Sequence, residues 1–133
     1  MNGSHYTADL TGCNLQRLIM HEALMAFVLE QVQWSGLHAV AHQSHIFANP
    51  NTELANTANG GVTLTVLLAE SHICIHTWPE LLGVTLDVYV CNFSADNSKK
   101  AEQLFELLVN WFEPTDSQKN SLQRGTCLKM TEY

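Results

Sequence analysis

Positive charge is the scarcest property of this sequence. Six Lys and Arg stand against thirteen Asp and Glu in 133 residues, giving a net charge of −7. A chain so short of cations cannot neutralise a phosphate backbone or an anionic bilayer, so nucleic acid and membrane surfaces are excluded as expected partners. An acidic surface does suit a cationic small molecule. No apolar run approaches the ~18 residues of a membrane span. Met1-Asn2-Gly3-Ser4-His5 lacks the basic and apolar regions of a signal peptide, so a cytoplasmic setting is the expectation. Cys13, Cys74, Cys91 and Cys127 include no CxxC pair. In a reducing compartment they are expected to be free thiols, most of them small core residues. Charged residues make up only 14% of the chain and hydrophobic ones 46%. That is enough for one core and leaves room for a buried subunit interface. The length fits one domain, 1–133, with no solenoid-length repeat and no low-complexity segment.

The hydrophobic pattern predicts an α+β fold. His5 to Leu10 alternates as a short strand, closed by Thr11-Gly12. Asn14 is placed to cap a helix from Leu15 to Ser35, with Gly36 as its stop. Leu37 to Phe47 reads as a strand whose alternation is blurred by His38, His42 and His45. Ala48 to Gly60 is a polar loop. Gly61 to Ala69, His72 to Trp78 and Val84 to Cys91 read as three further strands. Ala101, Leu104, Phe105, Leu108, Trp111 and Phe112 recur at helical spacing before Pro114. Ser121 to Met130 is the last expected strand. The order β-α-β-β-β-β-α-β implies a two-layer sandwich, a mostly antiparallel sheet with two helices packed on one face.

The segment Glu70-Ser71-His72-Ile73-Cys74-Ile75-His76-Thr77-Trp78-Pro79-Glu80 stands apart. It puts an acid, a hydroxyl, two imidazoles and a thiol directly after the apolar run Val62 to Ala69. Such groups at the end of a core strand cost desolvation energy unless they are paired or used. A metal is one use: His72, Cys74 and His76 alternate and share one face of a strand. Their spacing of about 7 Å per step is too wide for one zinc with bonds of about 2.0–2.3 Å. Two of them with His42 or His45 would be needed, and no metal is the expectation. Taken alone, Ser71 is a turn residue, His76 a hydrogen-bonded sheet histidine, Cys91 and Cys74 small core residues, and Trp78 a core or interface aromatic.

Together these residues resemble the self-cleavage signature of the bacterial S-adenosylmethionine decarboxylase proenzymes, A-E-S-H-[aliphatic]-[ST]-I-H-T-W-P-E. Further blocks follow in the same order. Gly3-Ser4-His5 through Ala8-Asp9-Leu10-Thr11-Gly12-Cys13 resembles the family's opening. Gly61-Val62-Thr63 stands where the family has G-V-S, Leu86-Asp87-Val88-Tyr89-Val90-Cys91 resembles V-D-V-[FY]-T-C, and Arg124-Gly125 its C-terminal R-G. The resemblance implies that Ser71 attacks the carbonyl of Glu70. The chain would then part into 1–70 and 71–133, and Ser71 would become a pyruvoyl group. That ketone condenses with the substrate's α-amine and withdraws electrons as carbon dioxide leaves.

The resemblance also implies roles. His76 assists the elimination step of processing, Thr63 keeps the hydroxyl that supports the intermediate, and Cys91 returns a proton to the α-carbon. Glu80 contacts substrate, with Phe47 or Trp78 supplying a ring face. Cys13 and Cys74 receive no role. The family's small class forms homodimers of processed protomers with sites near the interface. Four departures bear on substrate. Ser44-His45-Ile46-Phe47 runs into a longer loop than the family's H-x-F-S-P-Q-G, Leu81-Leu82-Gly83 replaces Tyr-Gly-Tyr, Asn92 replaces Gly, and Asn14 replaces Asp. S-adenosylmethionine is the favoured substrate, ornithine or arginine the alternative, and a processing-dead, non-catalytic paralogue or a metal-binding protein the second alternative.

Overall fold

The computed structural model describes residues 2–48 and 60–131. Six strands form one antiparallel sheet: β1 (Gly3–Thr11), β2 (Ala39–Ile46), β3 (Val62–Leu68), β4 (Ser71–Trp78), β5 (Gly83–Cys91) and β6 (Asp116–Arg124). Their spatial order is β2-β3-β4-β5-β1-β6, so the first strand lies inside the sheet, between β5 and β6. Three helices, α1 (Leu15–Ile19), α2 (His21–Trp34) and α3 (Ser98–Trp111), cover one face. This is the expected α+β sandwich, with every strand pair antiparallel.

Alternation decides which side chains meet the helices. Val62, Leu64 and Val66 on β3, Ile73 and Ile75 on β4, and Val84, Leu86 and Val88 on β5 are buried against Leu18, Leu24, Val28, Leu104 and Leu108. Full burial of each such side chain contributes about 1.5–3 kcal/mol. The alternate positions, among them Thr63, Thr65, His72, Cys74, His76, Asp87 and Tyr89, are only half-buried and lie on a face that no helix among the described residues covers.

Two expected elements differ. The single helix from Leu15 to Ser35 is broken at Met20, whose φ of −84° and ψ of 71° end α1 and precede α2. Asn14 does cap α1, its side chain accepting from the Gln16 N–H at 3.0 Å. The break has a tertiary cause. Buried Thr77 donates its hydroxyl to the Leu18 carbonyl at 3.2 Å, the group a continuous helix would offer to residue 22. The same Thr77 oxygen accepts from the Val62 N–H at 3.0 Å, tying α1, β3 and β4 together. Beside it, a Cβ on Gly61 would run into the Thr77 carbonyl, so only glycine fits. The last strand is Asp116–Arg124 and not Ser121–Met130. It pairs with β1 along its whole length while both faces stay exposed, so its ladder rests on backbone hydrogen bonds and leaves no apolar period to read. The polar loop expected from Ala48 to Gly60 lies, from 49 to 59, outside the described residues.

Candidate functional site

The β3–β4 hairpin holds the predicted site residues, and it separates them into two groups. At its turn, Leu68 pairs with Ser71, leaving Ala69 and Glu70 as a two-residue connection. Glu70 has a φ of +63°, a conformation that L-residues other than Gly, Asn and Asp seldom adopt. The turn is held on both sides. The Ala69 N–H donates to the His38 carbonyl at 3.3 Å, and the Cys91 N–H donates to Ser71 Oγ at 3.0 Å. Cys91 is itself gripped from beyond, its carbonyl accepting from Asn97 Nδ2 at 3.1 Å. A cleft of about 380 Å³ opens here, lined by Leu37, His38, Glu70, Ser71, Cys91 and Asn97 among others. Cys91 is buried, with 6% exposure, and is among the residues that line this cleft.

At the far end of the same hairpin, Thr63 and His76 are opposite each other in register. Thr63 Oγ1 and His76 Nδ1 share a hydrogen bond of 3.0 Å. His45 faces Thr63 across β2 and β3, and its ring meets Phe47 edge-on at 4.6 Å. Phe47 is anchored through its N–H to the Gly61 carbonyl at 2.8 Å. Glu80 lies in a short 3-10 turn, Pro79–Leu81, and is exposed. A groove of about 410 Å³ runs along this part of the open face past His45, Thr63, Thr65 and Leu67. From Ser71 to His76 is five steps along the strand, roughly 16 Å at 3.2–3.4 Å per residue, and alternation sends the two side chains to opposite faces. Within one chain, Ser71 and Cys91 therefore meet, and Thr63 and His76 meet with Phe47 close by against His45, but the two groups do not meet each other.

The other chemistry-bearing residues take different partners. His72, Cys74 and His76, which alternate on one face as expected, do not converge. Cys74 Sγ lies 3.8 Å from Thr65 Oγ1, while His72 Nε2 reaches Asp87 Oδ2 at 3.1 Å. Among the described residues, one group brings three possible metal-ligand atoms within 4.8 Å of one another: His5, His72 and Asp87. His5 Nε2 is 2.9 Å from the same Asp87 oxygen. Arg124 Nη1, which can only donate, lies 2.9 Å from His5 Nδ1. His5 Nδ1 must then accept, which puts the ring proton on Nε2 and directs it at Asp87. The Nε2 lone pair a metal would need is thereby used by hydrogen, and the trio is a hydrogen-bonded network. A lone carboxylate within the otherwise apolar strand Val84–Cys91 was the sequence signal for it. Nothing in the sequence named His5 and His72 as its partners, nor His38 and Asn97 as walls of the cleft.

All four cysteines are free thiols, as expected, but only Cys13 and Cys91 are buried. Cys13 is buried, and desolvation pushes its thiol up to about 11, so it stays protonated and inert. Cys74 is half-buried on the open face and not in the core; burial raises its thiol, and the Asp87 carboxylate raises it further. Cys127 is exposed. Trp78 is 44% exposed on the open face and so is not a core aromatic.

This arrangement has counterparts in known proteins. The family model described as S-adenosylmethionine decarboxylase matches residues 4–125. An S-adenosylmethionine decarboxylase proenzyme from Archaeoglobus fulgidus is 34% identical over 123 residues, covering 92% of this chain and 97% of that one. An arginine decarboxylase proenzyme from Ignicoccus hospitalis is 33% identical over 114 residues, covering 86% of this chain and 71% of that one. The crystal structure of the adenosylmethionine decarboxylase from Aquifex aeolicus VF5 is similar with a TM-score of 0.77 at 29% identity, covering 98% of this chain and 97% of that chain. The signature hairpin, the sheet that presents it and these likenesses lead to one conclusion: the chain belongs to the S-adenosylmethionine decarboxylase family, a family of carboxy-lyases.

Proposed function

We propose that this chain is a pyruvoyl-dependent decarboxylase of polyamine biosynthesis, made as a proenzyme that cuts itself between Glu70 and Ser71 and acting in the cytoplasm on S-adenosylmethionine. The observation that carries this reading is the placement of Ser71 Oγ. It accepts from the Cys91 N–H, within the cleft at the hairpin turn that Cys91 also lines. The oxygen is held by a donor, which leaves its own proton to be given up as it attacks the Glu70 carbonyl carbon. The new carbon–oxygen bond replaces the Glu70–Ser71 amide bond, and the proton passes to the Ser71 nitrogen. Loss of the Ser71 Cα proton then breaks the Cβ–Oγ bond and frees Glu70 as a carboxylate that now contains Oγ. The Cys91 N–H faces that oxygen as its charge grows, which is where a backbone donor stabilises a leaving group most. Water replaces the remaining nitrogen, released as ammonia, and residues 71–133 begin with a ketone.

The residues at the turn fit that group: a cleft for a small ligand, a buried thiol beside it and backbone donors around it. Once formed, it supplies an electron sink for decarboxylation. The Cys91 thiol, screened from water, returns a proton to the substrate's α-carbon.

Thr63, His76, Phe47 and Glu80 require a second copy of the chain. The open sheet face offers half-buried polar groups together with exposed Leu67, Trp78 and Leu122. Two such faces packed about a two-fold axis set the Thr63–His76 pair of each protomer at the partner's hairpin turn, where Ser71 opens the strand and is reached from the end of the sheet. A homodimer with two composite sites follows, and His76 then assists the elimination step across the interface. Glu80 meets the ribose hydroxyls, and Phe47 gives a ring face to the sulfonium, a contact of about 0.5–2 kcal/mol.

The arginine decarboxylase relative supports a basic amino acid, arginine or ornithine, as the alternative substrate. Glu80 could hold such a substrate's distal charge through a bond of about 1.5–3 kcal/mol. S-adenosylmethionine is preferred because the signature through Glu80 is intact. Carbon dioxide release from the three substrates at matched concentration tests this choice. Release from arginine or ornithine alone reverses the substrate while leaving the cleavage chemistry standing.

A further inference from the structure

We infer that Glu70 is a spring as well as the cleavage point: its backbone is held in a strained left-handed conformation that the attack of Ser71 relieves. This rests on the proposed cleavage between Glu70 and Ser71. Among the described residues only Glu70, Leu82 and Glu113 combine a side chain with positive φ. Glu70 alone of these precedes the scissile bond. At positive φ the Cβ crowds the carbonyl of the preceding residue, here Ala69, a clash that glycine escapes and asparagine offsets with local hydrogen bonds. Glutamate does neither, and its side chain is exposed, so no packing rewards the conformation.

Strain of this kind persists only where the surroundings hold it. Both flanks are held here. The Ala69 N–H is fixed to the His38 carbonyl, and Ser71 is fixed through Oγ to the Cys91 N–H. Beyond them, Leu68 and Ser71 are locked in register across the hairpin. Glu70 cannot turn to negative φ without breaking one of these contacts.

The chemistry gives the strain a use. Exchanging an amide for an ester is uphill, so anything that raises the uncut amide favours the shift. Once Oγ has replaced the amide nitrogen, the link from the Glu70 carbonyl carbon to Ser71 Cα runs through Oγ and Cβ, one atom longer than before, and gives Glu70 room to turn out of positive φ. After cleavage Glu70 is a chain end and is free of the constraint.

The test compares Glu70→Ala with Glu70→Gly in the full chain. Both lack the carboxylate, so their ratio isolates the Cβ. Cleavage, followed by intact mass after synthesis at fixed pH, is expected to be five- to tenfold slower for Gly than for Ala, about 1–1.4 kcal/mol in the barrier. Glu70→Asn should fall between them. A turn residue with a purely structural role would cleave as well or better as Gly, and equal or faster cleavage of the Gly variant overturns the proposal. A second arm does not need cleavage. In the uncuttable Ser71→Ala background the Ala69–His38 bond and the Leu68–Ser71 register still hold the turn, so Gly at 70 should raise Tm above Ala at 70 by about 2–5 °C; no difference means no stored strain and overturns the proposal as well. A wild-type chain that never cuts would defeat the cleavage reading instead, and the Tm comparison would still read the strain.

Discussion

The two ends of the β3–β4 hairpin are built from the same sheet and behave as opposites. At the turn end, Glu70, Ser71 and Cys91 are tied mainly by backbone groups: an N–H on Ser71 Oγ, a carbonyl on the Ala69 N–H, an amide on the Cys91 carbonyl. At the open end, Thr63 and His76 are tied by their side chains, to each other. Backbone donors fix an atom's position and barely respond to substitution. A hydroxyl–imidazole pair can pass a proton and is removed by one mutation. On the proposed function, the turn end is where bonds would break, and the far end is where protons would be handled, in a partner's site and not its own.

The comparison is broken most severely by Ser71→Ala. Without Oγ no attack on Glu70 can occur, so cleavage should be abolished, and the mass of purified protein should be that of the whole chain. At the other end, Thr63→Val removes a supporting hydroxyl, and cleavage should continue, slowed roughly tenfold, the scale of one hydrogen bond worth about 1.4 kcal/mol.

Coexpression sharpens it further. Cys91→Ala should cleave yet turn over poorly, whereas His76→Ala should stall at an ester that hydroxylamine cuts. Expressed together, the two chains form mixed dimers in which one site has both residues intact. Random pairing about a two-fold axis predicts about a quarter of wild-type activity from two inactive parents. No recovery, with mixed dimers present by mass, would place each site within one chain.

Smaller effects probe what holds the open end. Thr77→Val leaves the Val62 N–H without its buried acceptor and frees the Leu18 carbonyl. A loss of about 1–3 kcal/mol in urea-unfolding stability is expected, with cleavage retained. The smallest effect is that of alkali. Burial lifts the Cys13 thiol from the ordinary 9.0 to about 11. Between those pH values the unfolded chain has lost a proton that the folded chain keeps, so stability falls as pH rises through the window. Cys13→Ala should flatten that fall in a series of urea melts.

Much of this was legible in the sequence because the relevant signals are local. The helical spacing of Leu104, Phe105, Leu108 and Phe112 survives folding because all four face the sheet and are buried. The strands on either side of Ser71 were readable from alternation. The break at Met20 was not, since its cause is a hydroxyl 57 positions further along the chain, at Thr77. Strand β6 was misplaced because Asp116–Arg124 has only Leu122 as an apolar side chain, and pairing with β1 is a backbone matter. The site was legible as a set of residue types and illegible as a place. Eleven consecutive residues suggest one locus, yet a strand carries its members apart at about 3.3 Å per residue and to alternate faces. The strain at Glu70 had no sequence signal either, because glutamate is not a residue that announces a positive φ.

The central claim is that this chain is cut between Glu70 and Ser71 by its own hydroxyl. Intact-mass analysis of the folded, purified wild-type protein measures this directly. Two components are expected, residues 1–70 ending in a carboxylate and residues 71–133 beginning with a ketone and refractory to N-terminal sequencing. A single component at the mass of the whole chain, unchanged after long incubation of folded protein, would contradict the account.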